Sequence, residues 1–162
     1  MLFRSATSAV DDLPSCDAIF ICVPTPFDKL KTPDLSYVEA ATRTVAKVLR
    51  AGMLVILQST TYPGTTTEFV RSILEEGGLV AGRDFYLAFS PERVDPGNTA
   101  WNVRNTPKVV GGLTERCTEL AAVLLESLLE DASLVRRVES PQVAEMAKLL
   151  ENTYREIGRA HV

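Results

Sequence analysis

The chain has 162 residues, 46% of them hydrophobic and 23% charged, with a net charge of −4. That composition fits one ordinary globular domain with a real core. The acidic balance leaves no basic footprint for nucleic acid, and apolar runs such as Ala18-Ile19-Phe20-Ile21-Cys22-Val23 are too short to span a bilayer.

That run is the first predicted strand, stopped by Pro24-Thr25-Pro26. Pro33-Asp34-Leu35-Ser36 then opens a helix whose apolar face holds Val38, Ala41, Val45, Val48 and Leu49, and Gly52 ends it. Met53-Leu54-Val55-Ile56-Leu57 is the second strand. Ser59-Thr60-Thr61-Tyr62-Pro63-Gly64 breaks it and leads into a helix with Phe69, Val70, Ile73 and Leu74. Gly77-Gly78 closes that helix, and Tyr86 to Phe89 is the third strand. A fourth covers Lys108 to Val110, closed by Gly111-Gly112. A helix from about Thr114 to Glu130 is expected to turn Leu120, Val123, Leu124 and Leu128 inward. Leu134 to Val138 is a short fifth strand, and Ser140-Pro141 caps a final helix with Pro at its first position. Strands separated by helical patterns imply right-handed crossovers and a mostly parallel sheet.

Three strand ends carry the polar residues. Val23-Pro24-Thr25, Ser59-Thr60-Thr61 and Ser90-Pro91-Glu92-Arg93 each follow a predicted strand directly. In a parallel sheet these ends share one edge, where open α/β sheets bind ligands. Gly64-Thr65-Thr66 would leave room for a ligand at a partly positive helix N-terminus. The bland alternative is that the hydroxyls cap helices and the prolines stop strands. On the last helix, Lys148 and Asn152 are four apart and share a face. Side by side they could bind a developing oxyanion, one by charge and one as a neutral donor; the alternative is a solvated face. Met146, Leu149 and Leu150 are the candidates to pack inward.

Cys16, Cys22 and Cys117 show no Cys-x-x-Cys spacing. They predict a reducing, cytoplasmic compartment rather than a disulfide framework. Cys22 and Cys117 fall on apolar elements and are read as core. Met1-Leu2-Phe3-Arg4, with Asp11 and Asp12 soon after, is not a secretory pattern. His161 stands next to the last residue, and no metal site is expected.

Together, Val23-Pro24-Thr25-Pro26, Ser59-Thr60-Thr61-Tyr62-Pro63-Gly64-Thr65-Thr66, Ser90-Pro91-Glu92-Arg93, Pro107-Lys108-Val109-Val110-Gly111-Gly112 and Glu145-Met146-Ala147-Lys148-Leu149-Leu150-Glu151-Asn152 resemble the UDP-glucose/GDP-mannose dehydrogenase family. Asp95-Pro96-Gly97-Asn98 and the Lys108 to Gly112 run look closest to its branch acting on UDP-N-acetylhexosamines, such as UDP-N-acetylglucosamine 6-dehydrogenase. The resemblance implies NAD as cofactor and a UDP-sugar as substrate. The C6 alcohol would become a carboxylate by two hydride transfers through a cysteine thioester, for polysaccharide biosynthesis. By motif position, Thr60 and Glu92 would position or activate the water, and Lys148 and Asn152 would stabilise the oxyanion. Val23, Pro24, Thr25, Ser59 and Thr60 would line the cofactor. Glu92, Arg93, Val94, Pro96, Lys148 and Asn152 would meet the substrate.

The sequence also departs from that family. It has no G-x-G-x-x-G turn to grip a pyrophosphate, and none of its cysteines occupies the catalytic place. It therefore reads as an internal piece. Residues 1–139 would be the second part of an NAD-binding domain with a partial Rossmann-like α/β sheet. Residues 140–156 would begin a central helix that builds a homodimer or higher homo-oligomer, and 157–162 would be a non-native tail. In the usual strand order the first run then lacks a neighbour and presents an apolar edge. The competing reading is a non-catalytic α/β module that binds a nucleotide or a partner.

Overall fold

The computed structural model describes residues 6–26, 33–94 and 100–160. Five strands form one sheet in the order β1-β2-β3-β4-β5. They are β1 (Ala18–Ile21), β2 (Leu54–Leu57), β3 (Tyr86–Phe89), β4 (Lys108–Gly112) and β5 (Val135–Arg137). The helices are α1 (Ser36–Ala46), α2 (Arg71–Glu75), α3 (Glu115–Leu128) and α4 (Pro141–Ala160). A π-helical segment, Thr65–Val70, runs directly into α2.

Strands β1, β2 and β3 are parallel and in step, with Ile21 beside Leu57 and Leu57 beside Phe89. Their carboxyl ends therefore lie along one edge. Between β3 and β4 the sequence holds no helical pattern, so no crossover returns the chain, and β4 runs antiparallel to β3. Helix α3 then supplies a crossover, and β5 is parallel to β4. The sheet is mostly parallel, as expected, with one reversal that the strand spacing did not show.

The run Leu54–Leu57 is buried on both faces. Alternate side chains feed two cores, as the strand pleat requires. Val55 and Leu57 join Ile19, Val38, Val70, Leu74 and Phe89 on one face, while Leu54 and Ile56 join Ala88, Val110, Ala121 and Leu125 on the other. The expected apolar face of α1 is borne out: Val38 and Val45 are buried, and Ala41, Val48 and Leu49 pack against that core. Gly52 adopts a left-handed φ of 83° after the helix, a conformation that only glycine takes without strain.

Helix α3 corrects the sequence reading. Its inward side chains are Cys117, Thr118, Ala121, Ala122 and Leu125; Leu120 and Leu124 flank them, and Val123 and Leu128 are exposed. Small residues face the sheet because the helix begins in close contact with it. A side chain at Gly112 would collide with the backbone at Cys117 and Thr118.

Helix α4 departs further. Ala144, Glu145 and Lys148 are buried, whereas Val143, Met146, Leu150, Tyr154 and Ile157 are exposed. Met146 and Leu150 therefore point outward, against expectation. The helix lies close to β4, since a side chain on Gly111 would strike the Ser140 carbonyl. It continues through Gly158 to Ala160. Cys22 is also corrected: Cys117 is buried in the core, but Cys22 is exposed just past the end of β1. Among the described residues β1 has no partner on its outer side, and no helix is long and apolar enough to cross a membrane.

Candidate active site

The loop after β3 turns a carboxylate back toward β4. Glu92 Oε1 accepts the backbone N–H groups of Arg93 (2.7 Å) and Val94 (2.9 Å). The Lys108 ammonium donates to both carboxylate oxygens at 2.8 Å, and Gln58 Nε2 donates to Oε2 at 3.2 Å. Burial pushes the Glu92 pKa up, but Lys108 and the two backbone donors outweigh it and hold the carboxyl below its ordinary value. Glu92 is thus a fixed anion, and its side chain remains 40% exposed. The Val94 N–H is committed to Glu92, and Pro96 lies outside the described residues.

Arg93 faces the other way. Its Nε and Nη2 donate to the two oxygens of Glu151 on α4 at 3.0 and 3.1 Å, and Nη1 reaches the Pro107 carbonyl at 3.3 Å. This bidentate pair fastens the loop to α4. A small cavity of about 70 Å³ beside it is lined by Pro91, Arg93, Val109, Ala147, Lys148 and Glu151. Lys148 is 8% exposed, and among the described residues no hydrogen bond or ion pair satisfies its ammonium. Burial pushes its pKa down, helped by Arg155 and Arg93 and opposed by Glu151 and Glu92.

The ends of β1 and β2 are stitched together. Ser59 Oγ accepts the Val23 N–H and donates to the Val23 carbonyl, each at 2.8 Å. Thr25 Oγ1 donates to the Thr60 carbonyl at 2.8 Å. Pro24 is exposed between them. Beside this seam opens a cleft of about 770 Å³ lined by Thr25, Thr60, Thr61 and Tyr62 on the sheet side and Asn152 and Arg155 on α4. The Thr61 Oγ1 is buried there with no protein partner. The structure therefore brings Thr25, Thr60 and Asn152 to one cleft and Lys148, Arg93 and Glu151 to its neighbour, with Glu92 joined to the second through Arg93.

Residues missed by sequence reasoning complete the picture. Lys108 and Gln58 hold Glu92, and Cys22 Sγ donates to Gln58 Oε1 at 3.0 Å. The anion site expected at Gly64-Thr65-Thr66 is already filled by the chain itself. Glu145, fully buried on α4, accepts the Gly64 N–H (2.7 Å), the Thr66 N–H (2.9 Å) and the Thr66 hydroxyl (2.6 Å). The only forewarning was a glutamate one turn before Lys148 on the same helix.

An open α/β sheet with a polar cleft along the carboxyl ends of its strands is the architecture of Rossmann-type nucleotide-binding domains. Over residues 2–129 the chain matches the NAD binding domain of the UDP-glucose/GDP-mannose dehydrogenase family, and it belongs to that family. It is 40% identical over 154 residues to UDP-N-acetyl-D-mannosamine dehydrogenase of Pyrococcus horikoshii, covering 95% of this chain and 36% of that protein. It is 38% identical over 157 residues to UDP-N-acetyl-D-glucosamine 6-dehydrogenase of Pseudomonas aeruginosa, covering 96% and 37%. The solved structure of UDP-D-ManNAc dehydrogenase from Pyrococcus horikoshii superposes with a TM-score of 0.85 at 41% identity, over 93% of this chain and 35% of that one. The chain spans little more than a third of the length of these relatives.

Proposed function

We propose that the protein carrying this domain is an NAD-dependent dehydrogenase that oxidises the C6 alcohol of a UDP-N-acetylhexosamine to the acid. The observation that carries the reading is the meeting of α4 with the strand ends: Asn152 shares the large cleft with Thr60, and Lys148, whose ammonium has no partner among the described residues, lines the neighbouring small cavity near an ionised Glu92. The cleft has the volume of a small-molecule site, and its orphaned Thr61 hydroxyl suits a polar ligand, so the residues fit the family's cofactor. When bound, NAD would take up the electrons released from C6.

The chain's own groups do the rest. Thr25, Thr60 and Thr61 offer polar contacts along the cleft, beside a seam that Ser59 and Val23 keep closed. Lys148 and Asn152 stabilise negative charge on the oxygen at the reacting carbon, a task suited to preorganised donors in a partly dry site. Glu92, held ionised by Lys108, orients a water through its remaining acceptor capacity rather than taking its proton. Arg93 keeps the Glu92 loop against α4 and is a strut in this arrangement. The cysteine step is assigned to no residue here: Cys117 is buried, and burial and the Glu92 charge push the Cys22 thiol up, which disfavours a thiolate. The exposed row Val143, Met146, Leu150, Tyr154 and Ile157 suits the homo-oligomer expected through this helix.

The test is NADH formation by the complete protein with UDP-N-acetylglucosamine, UDP-N-acetylmannosamine and UDP-glucose. Two NADH per sugar with an N-acetylated substrate is expected. Tight NAD or UDP-sugar binding without turnover would favour the non-catalytic module instead.

A further inference from the structure

We infer that Lys108 is a positioning residue: from the first turn-in of β4 it fixes the Glu92 carboxylate in the orientation the site uses. The inference rests on the dehydrogenase reading and extends it to a residue outside the strand-end motifs.

The geometry begins with the reversal of β4. Phe89 pairs with Gly111 and Ala88 with Gly112. Extended three residues beyond Phe89, that antiparallel register reaches Glu92 opposite Lys108. A parallel β4 would place its first residue at the far edge of the sheet. Because β4 is reversed, its first residue arrives at the edge where β1, β2 and β3 end. A continuous chain of contacts then runs through Cys22, Gln58 and Glu92, just past the ends of β1, β2 and β3, to Lys108 at the start of β4.

The Lys108 side chain is 3% exposed, so its ammonium has exchanged water for Glu92. A buried ammonium without a counter-charge is costly, and both of its Glu92 contacts are short. Glu92 Oε1 accepts from Lys108, Arg93 and Val94. Oε2 accepts from Lys108 and, at the longer 3.2 Å, from Gln58. Oε2 is therefore the oxygen with room for a further donor, such as a water. The Gln58 amide is oriented by the Cys22 thiol on its carbonyl side. The other charged groups acting on Glu92 are few: Lys148 lies near it on α4, and the Arg93 guanidinium is spent on Glu151.

The experiment is a carbon-detected NMR titration of the Glu92 carboxyl in the 162-residue chain and its Lys108→Met and Lys108→Arg variants. It is paired with the pH–rate profile of the same variants in the complete protein. Removing a contacting cation should raise the Glu92 midpoint by about 1–3 pH units, and Lys108→Arg should restore most of it. The acid limb of the rate profile should move with the midpoint. An unmoved midpoint overturns the inference, and so does a moved midpoint with an unmoved acid limb, since the pair would then be merely structural. If Lys108→Met does not fold, the Lys108 ammonium signal of the unmodified chain decides: it should change as Glu92 is protonated, and indifference overturns the inference. Absence of turnover in the unmodified protein is a separate failure. It sinks the dehydrogenase reading, and the titration still decides whether Lys108 holds Glu92.

Discussion

Glu92 and Glu145 both accept backbone N–H groups, but their surroundings differ. Glu92 also accepts a buried ammonium and stays 40% exposed. Glu145 is fully buried, and among the described residues no cation pairs with it. Burial is the largest influence on each. At Glu92 it is overcome and the pKa falls; at Glu145 it prevails over the donors and the pKa rises. The carboxylate left partly open to solvent is kept charged by a neighbour of opposite sign. One that only joins two elements is sealed and satisfied by N–H and O–H donors.

The sharpest way to break this contrast is Glu145→Ala. It leaves the Gly64 and Thr66 N–H groups and the Thr66 hydroxyl without their acceptor, and buried orphans cost about 1–3 kcal/mol each. We expect a loss of roughly 3–5 kcal/mol in urea unfolding; a loss below about 1 kcal/mol would remove its joining role. Lys148→Ala should show the reverse profile in the complete protein. Turnover should fall about 10²–10³-fold while unfolding and NAD affinity change little, and an unchanged turnover number refutes the assigned role.

Opposite pH slopes give a third, smaller test. The folded-state pKa of Glu92 is depressed below the ordinary 4.5. Its contribution is complete above that unfolded value and is lost as pH falls through the folded one. The folded-state pKa of Glu145 is raised above 4.5. Its advantage is full below the unfolded value and is lost as pH rises through the folded one. From acid to neutral pH, Glu145→Gln should therefore gain on the native chain and Glu92→Gln should lose ground. Parallel curves for the two variants would erase the distinction. The smallest effect is expected at Glu119→Ala, which removes an exposed partner of Arg137 while Glu126 remains. Exposed pairs contribute about 0–1 kcal/mol, and a larger loss would mean that exposure is a poor guide to which carboxylates matter here.

Much of the site was legible because it depends on chain-local patterns. Apolar runs bounded by Pro and Gly mark β1, β2 and β3, and the polar residues just after them must share an edge once those strands are parallel. Helical spacing put Lys148 and Asn152 one turn apart on α4, but Asn152 lines the large cleft and Lys148 the small cavity beside it. Helix α3 was misread because its Leu and Val residues outnumber its alanines, yet close approach to Gly112 admits only small side chains. Helix α4 was misread for the opposite reason. Its inward face carries Glu145 and Glu151, which bond to other elements, and the buried Lys148, while its apolar row is left facing outward.

By itself the sequence determined the order of strands and helices and the polar edge, because hydrophobic period, turn residues and helical spacing act over a few residues. Only the tertiary structure decided that β4 runs backwards and so brings Lys108 to Glu92. It also decided that Glu145 fills a helix end that appeared open to a ligand. Both join residues far apart in the chain, 16 positions for Lys108 and Glu92 and 79 for Thr66 and Glu145. No local pattern encodes such a meeting; it follows from strand direction and from the cost of leaving a buried charge or N–H group unpaired.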